Sequence, residues 1–270
     1  MSEKAIAKLG EALPIGFSVK GAEFSTFALD SVRGRLRREF FNLRKRTPGN
    51  EILCALKHVL TSLGPMEKPK EEFIKRLPLP DIDYIFLCVN ANEGDGKIKW
   101  DFKCQTADGE AGCGAEMELA IDPYDIEIIP ASPPIEFSEQ GFPVQTIEFT
   151  DPTTGAKYPI KYKVATLGDQ IKMFNRMNTG EASMGNFMFH QTSSMMLDYN
   201  NTGRGLTVEE LDDLPVKTLD ALLEVNNSHN PTQIDSELEI TCSNCGMVHA
   251  ANLPVDSWLV PFVKRRESVT

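Results

Sequence analysis

Two cysteine segments far apart in this chain repeat one pattern, and that repetition constrains the fold more than any other feature. The first, KCQTADGEAGCGAEMELAIDPY, carries Cys104 and Cys113; the second, TCSNCGMVHAANLPVDSW, carries Cys242 and Cys245. In each, the second cysteine is followed by a glycine (Gly114, Gly246), a β-leaning run, an aspartate (Asp122, Asp256) and soon an aromatic residue (Tyr124, Trp258). Zinc takes four tetrahedral ligands, and thiolate sulfur suits it. Glycine after the second cysteine admits a backbone angle that other residues resist. The pattern predicts two knuckles closing on one structural zinc ion per chain, with Cys104, Cys113, Cys242 and Cys245 as ligands. The halves lie about 130 residues apart, far outside the usual short zinc spacings. CSNCG is the tighter half; the first knuckle carries a longer loop, read as surface. Two unconnected reduced pairs, or a lost metal site, are the alternatives. The opening MSEKAIAKLGEAL has no apolar signal core, so disulfides are not expected.

The chain has 270 residues, 41% hydrophobic and 25% charged, enough for one large or two modest domains. No apolar run has the length of a membrane span. A net charge of −11 argues against non-specific nucleic-acid binding as a main task. Against that background, the segment Arg33 to Arg46 is basic: Arg33, Arg35, Arg37, Arg38, Arg44, Lys45 and Arg46. A smaller cluster is Lys264, Arg265 and Arg266. Such a run is ordinarily a solvated helix face. Its functional reading is a dock for an acidic protein neighbour, with RNA or DNA the lesser option.

The stretch up to about Lys20 reads as a poorly ordered arm. A helix through the basic segment would put Leu36, Phe40 and Leu43 on one stripe. Thr47-Pro48-Gly49 breaks it, and a second helix follows over EILCALKHVLTSL. LPDIDYIFLCVN allows helix or strand, with Asp81 as a helix cap. KIKWDFKC and MELAI read as strands entering and leaving the first knuckle. Further strands follow in DIEIIP and VQTIEFT, with a hairpin over DPTTGAKYPIKYKVA. The period turns helical at Thr166, through ASMGNFMFHQTSSMML, a capping box at Thr207 and Glu210, and a helix burying Val216, Leu219, Leu222 and Leu223. ELEITC returns as a strand into the second knuckle. The expected architecture is therefore α+β: an N-terminal arm and helical region (1–80), a split zinc-ribbon-like β-unit (81–165 with 233–270), and a mainly helical insertion (166–232).

Catalytic signatures are missing from the sequence: no phosphate-binding glycine loop, nucleophile elbow or His-Glu-x-x-His helix occurs. Asp81 and Asp83 read as a cap and a solvated acid. Cys54 and Cys88 read as inert core thiols. His249 is a lesser candidate to replace a cysteine ligand. A four-thiolate site is closed, so it does not imply catalysis.

The order of these features resembles the baseplate hub and baseplate-assembly proteins of T-even-type contractile-tailed bacteriophages. The resemblance covers about residues 77 to 262. It is carried by LPDIDYIFLCVN, the glycine turn, the strand into KWDFKC…CGAEMELAID, and the closing ELEITCSNCGMVHAANLPVDSWLVPF. The long first knuckle and the Met-rich segment depart from the family pattern. What the resemblance implies is a component of the virion tail baseplate, made in the host cytoplasm, without enzymatic activity, and binding other baseplate proteins. No small-molecule substrate and no membrane partner are expected. The rival from a different class is a zinc-ribbon nucleic-acid-binding regulator using the two basic clusters.

Overall fold

The computed structural model describes residues 12–32, 34–43, 47–93, 97–105, 112–121, 128–129, 131–181, 183, 186–228, 233–234 and 237–252. Among the described residues the first element is a tight hairpin, β1 (Phe17–Val19) and β2 (Ala22–Phe24). Its two-residue turn is Lys20-Gly21, and both residues have positive φ (51° and 82°), which matches the twist of the flanking strands. Phe17 stacks on Phe24 with ring centroids 4.7 Å apart. Leu13 and Phe17 are buried, so residues 12–20 pack into the first core instead of forming a loose arm. Apolar side chains at 13, 15 and 17 are the signal for this.

β3 (Phe27–Leu29) pairs with β4 (Leu60–Leu63), and β4 with β5 (Met66–Glu67). Between β3 and β4 run α1 (Gly34–Asn42) and α2 (Pro48–Val59). Thr47 caps α2 by accepting the Asn50 N–H, and Pro48 occupies the first turn, where its missing N–H costs nothing. The second helix thus stops at Val59, and Thr61-Ser62-Leu63 belong to a strand. α3 (Glu71–Ile74) and α4 (Leu79–Glu93) follow. LPDIDYIFLCVN is therefore helical, and it buries Ile82, Ile85, Leu87 and Cys88. Asp81 is not a cap. Its carboxylate is fully buried and accepts the N–H groups of Ile15 and Gly16, both at 2.8 Å.

β6 (Ile98–Lys103) and β7 (Glu116–Ile121) form one antiparallel hairpin. β8 (Ile128–Ile129) comes next. β9 (Glu136–Phe137), β10 (Pro143–Thr150) and β11 (Lys157–Lys163) build a sheet that a later strand completes. The β10–β11 turn lies at the start of the expected hairpin, where Asp151 accepts the Thr153 N–H at 2.9 Å. α5 (Leu167–Thr179) starts at a capping box formed by Thr166 and Asp169 and ends at Gly180, whose φ is 78°. Its first turn returns to the N-terminal core: Leu167 N–H reaches Leu77 O at 3.0 Å, and Gly168 N–H reaches Lys75 O at 2.8 Å.

α6 (Phe187–Met195) runs into β12 (Met196–Tyr199), which pairs with β11. The region expected to be mainly helical therefore also contributes a strand. Met195 and Met196 face a second core with Phe149, Ile160, Tyr162, Leu211 and Leu222. Those methionines are interior packing, not an exposed adhesive surface. α7 (Val208–Asp212) opens on the expected Thr207–Glu210 capping box. α8 (Val216–Ser228) buries Leu222 as expected, but Val216 is 71% exposed. Thr218 takes the inward place, donating its hydroxyl to the Asp151 carboxylate at 2.7 Å, so a polar pair sets the rotation of α8. β13 (Gln233–Ile234) pairs with β8. Last comes the hairpin β14 (Glu237–Thr241) and β15 (Val248–Asn252). The α+β mixture is as expected, with the helices distributed over two apolar cores.

Candidate metal centre

Each of two hairpins presents a knuckle at its tip, and the two knuckles are built alike. In the first, Cys104 N–H reaches Ala115 O at 2.9 Å and Gly114 N–H reaches Cys104 O at 3.1 Å. In the second, Cys242 N–H reaches Met247 O and Gly246 N–H reaches Cys242 O, both at 2.8 Å. Gly114 and Gly246 have φ of 73° and 75°, a left-handed conformation that costs glycine nothing. The longer first loop leaves this geometry intact. Asp122, Tyr124, Asp256 and Trp258, which extend the sequence repeat, lie outside the described residues.

The knuckles face one another. Cys113 Sγ lies 3.6 Å from Cys242 Sγ, and Cys104 Sγ lies 3.8 Å from Cys245 Sγ. All four sulfurs are within 4.8 Å of one another. A tetrahedron with zinc–sulfur bonds of about 2.3 Å has edges of about 3.8 Å. The four cysteines expected from the sequence are thus brought together at a spacing that fits a divalent ion such as zinc. Cys104 and Cys242 are buried, while Cys113 and Cys245 are exposed. Two ligands therefore face the hairpin interior and two face solvent.

Electrostatics divides the sulfurs further. Burial pushes the Cys104 thiol up to about 12. Cys113 is held down at about 6, mainly by a hydrogen bond from the Asn244 side chain and then by the Ala115 N–H. A metal needs the thiolate, so binding releases protons, and the site begins from one sulfur already disposed to ionise. Four thiolates around one divalent ion close its coordination sphere and leave no position for a substrate.

His249 does not join the four sulfurs as a ligand. Its Nε2 lies 3.2 Å from Cys104 Sγ, its side chain is buried, and its ring sits 5.1 Å from that of Phe102. With the proton on Nε2 it donates to the sulfur, drawing off thiolate charge and fixing the ligand's orientation. Asn244 has the corresponding role at Cys113. Neither role is marked by spacing alone, although Asn244 lies inside CSNC and His249 alternates inward along β15.

Arg35 and Arg38 are exposed on α1. Arg33, Arg44, Lys45 and Arg46 lie outside the described residues, as does the side chain of Arg37 and the Lys264–Arg266 cluster. Cys88 is a buried thiol pushed up to about 12 by its apolar surroundings, as befits an inert core residue. No helix among the described residues is long and apolar enough to cross a membrane.

Among known proteins the chain matches no family model, no curated protein and no solved structure.

Proposed function

We propose that this chain is a zinc-stapled, non-enzymatic component of a phage contractile-tail baseplate, acting in the hub or its assembly by binding other baseplate proteins. The reading joins the family resemblance to one observation: four sulfurs at tetrahedral spacing tie residue 104 to residue 245. Paired knuckles of this kind make a split zinc-ribbon-like unit. A closed thiolate site stiffens a frame and offers no coordination position for chemistry. Rigid frames suit parts that must present fixed surfaces to several neighbours. The basic stretch from Arg33 to Arg46, on a chain of net charge −11, is the surface assigned to an acidic protein partner. Arg35 and Arg38 are exposed there and available to it.

Deletion of the gene from a phage that carries it should leave heads and other virion proteins in normal amounts but few complete baseplates. Mass spectrometry of purified particles then separates a resident subunit from an assembly factor. Normal tails together with altered transcription would overturn the reading in favour of a zinc-ribbon regulator. A salt-dependent shift of DNA or RNA by the purified protein would point the same way.

A further inference from the structure

We propose a second metal site, formed by Glu39, Cys54 and His58, that takes a zinc ion through one carboxylate oxygen, one thiolate and one imidazole nitrogen. Cys54 and His58 are four residues apart on α2, so they lie one above the other on one helix face. Glu39 comes from α1 and brings its carboxylate to the same point, with Oε2 at 2.7 Å from His58 Nε2. The three ligand atoms all lie within 4.8 Å of one another. They line a cleft of about 790 Å³ between the two helices, whose wall also includes Asn42, Asn50 and Lys57.

A plain surface ion pair beside a core thiol would account for Glu39 and His58 alone. It gives no reason for the thiol to stand in the same triangle. Carboxylate, thiolate and imidazole are all zinc ligands, and Glu39 and Cys54 together balance the charge of a divalent ion. Cys54 is buried and Glu39 is about half exposed, so the rigid ligand sits at the base and the adjustable one at the rim. Tetrahedral bonds of about 2.1 Å separate oxygen and nitrogen ligands by about 3.4 Å. The 2.7 Å contact must therefore open slightly, which the exposed Glu39 side chain permits. The ion sits between the Glu39 carboxylate and a neutral His58 whose ring proton is on Nδ1, and the proton of Cys54 is released to solvent. Lys57 pairs with Glu71 at 3.4 Å, and the nearby positive charges of Lys57 and Arg35 work against the ion. Three protein ligands leave a fourth position facing the cleft, where water completes the shell. The site is thus open, unlike the four-cysteine centre.

The test is metal content. The full chain is stripped of metal, reloaded by dialysis against zinc, and analysed beside Glu39→Gln, Cys54→Ser and His58→Ala. Two zinc ions per chain are expected for the unaltered protein and one for each variant. Glu39→Gln changes a half-exposed side chain, so it distinguishes a lost site from a lost fold should the buried Cys54→Ser variant fail to fold. Cobalt reloading gives a second readout, because each variant should lose the lesser part of the thiolate-to-metal absorption and keep the four-thiolate part. One zinc per chain in the unaltered protein, or two in Glu39→Gln and His58→Ala, would overturn the proposal.

Discussion

Cys113 and Cys242 are separated by 129 positions in the chain and by 3.6 Å between their sulfur atoms. Closing so long a loop costs the unfolded chain considerable entropy. A metal bound only by the closed loop repays that cost and couples its own binding to folding.

The first prediction concerns that coupling. The double variant Cys242→Ser, Cys245→Ser should lose the zinc held at the knuckles and should misfold. Structural zinc contributes on the order of 10 kcal/mol of apparent binding energy, about as much as the whole stability of a domain. Zinc content and circular dichroism check this. Undiminished zinc in the double variant would remove the four-cysteine assignment.

A second prediction separates ligands from their supports. His249→Ala keeps all four sulfurs but removes the ring nitrogen that faces Cys104. Zinc affinity, read by chelator competition, should fall by about 10- to 100-fold. His249→Gln, which keeps a donor, should recover part of the loss. Equal affinity in all three proteins would reduce His249 to packing against Phe102.

The cysteine centre was legible from the sequence because its signal is local and doubled: each knuckle announces itself by cysteine, glycine and flanking alternation. Asp81 was not legible. Its position in LPDID suits a helix cap, and nothing nearby says that two N–H groups 65 and 66 residues earlier will claim its oxygens. Val216 and Thr218 fail for a related reason. Helical periodicity ranks hydrophobicity, whereas the rotation of α8 follows the Thr218–Asp151 hydrogen bond. β12 was hidden because it begins within the short apolar run Met195 to Leu197, which suits helix and strand alike. Its strand state comes from pairing with β11, a contact no local window contains. The Cys54–His58 spacing was visible, but Glu39 arrives from another helix.

The third prediction is a pH dependence centred on Asp81. Burial raises its carboxyl from the ordinary 3.8 to about 7, outweighing the opposing effect of the Gly16 and Ile15 hydrogen bonds. The folded state then keeps a proton that the unfolded chain releases between those values. Stability contributed by this group is complete below pH 4 and is lost as pH rises to 7, by on the order of 4 kcal/mol. Asp81→Asn removes the titration and leaves one N–H facing an amide NH₂, at a cost of about 1–3 kcal/mol. The advantage of the native protein over this variant, measured by urea unfolding, should shrink between pH 4 and 7. An advantage that grows with pH would mean that the ionised carboxylate is the stabilising form.

The last prediction tests how α2 meets α5. Gly49 is buried in the first turn of α2, and a Cβ added there would lie 2.7 Å from Ile171 Cγ1. Alanine is intrinsically the better helix former by about 1 kcal/mol. Overpacking of a filled core, however, costs about 1–3 kcal/mol. The obstructing atom belongs to a buried side chain, 8% exposed, with little room to retreat, so the steric term should win. Gly49→Ala should therefore destabilise the protein despite its better helix propensity. Ile171→Ala removes Cγ1 itself and alone should cost about 2–5 kcal/mol. Combined with Gly49→Ala it should cost less than the sum of the two single changes, because the smaller side chain makes room for the new methyl group. Denaturant unfolding of the four proteins in the cycle measures the coupling directly. Strict additivity would show that Gly49 and Ile171 do not share the contact, and that Ile171 holds α5 to the first core through its other buried neighbours.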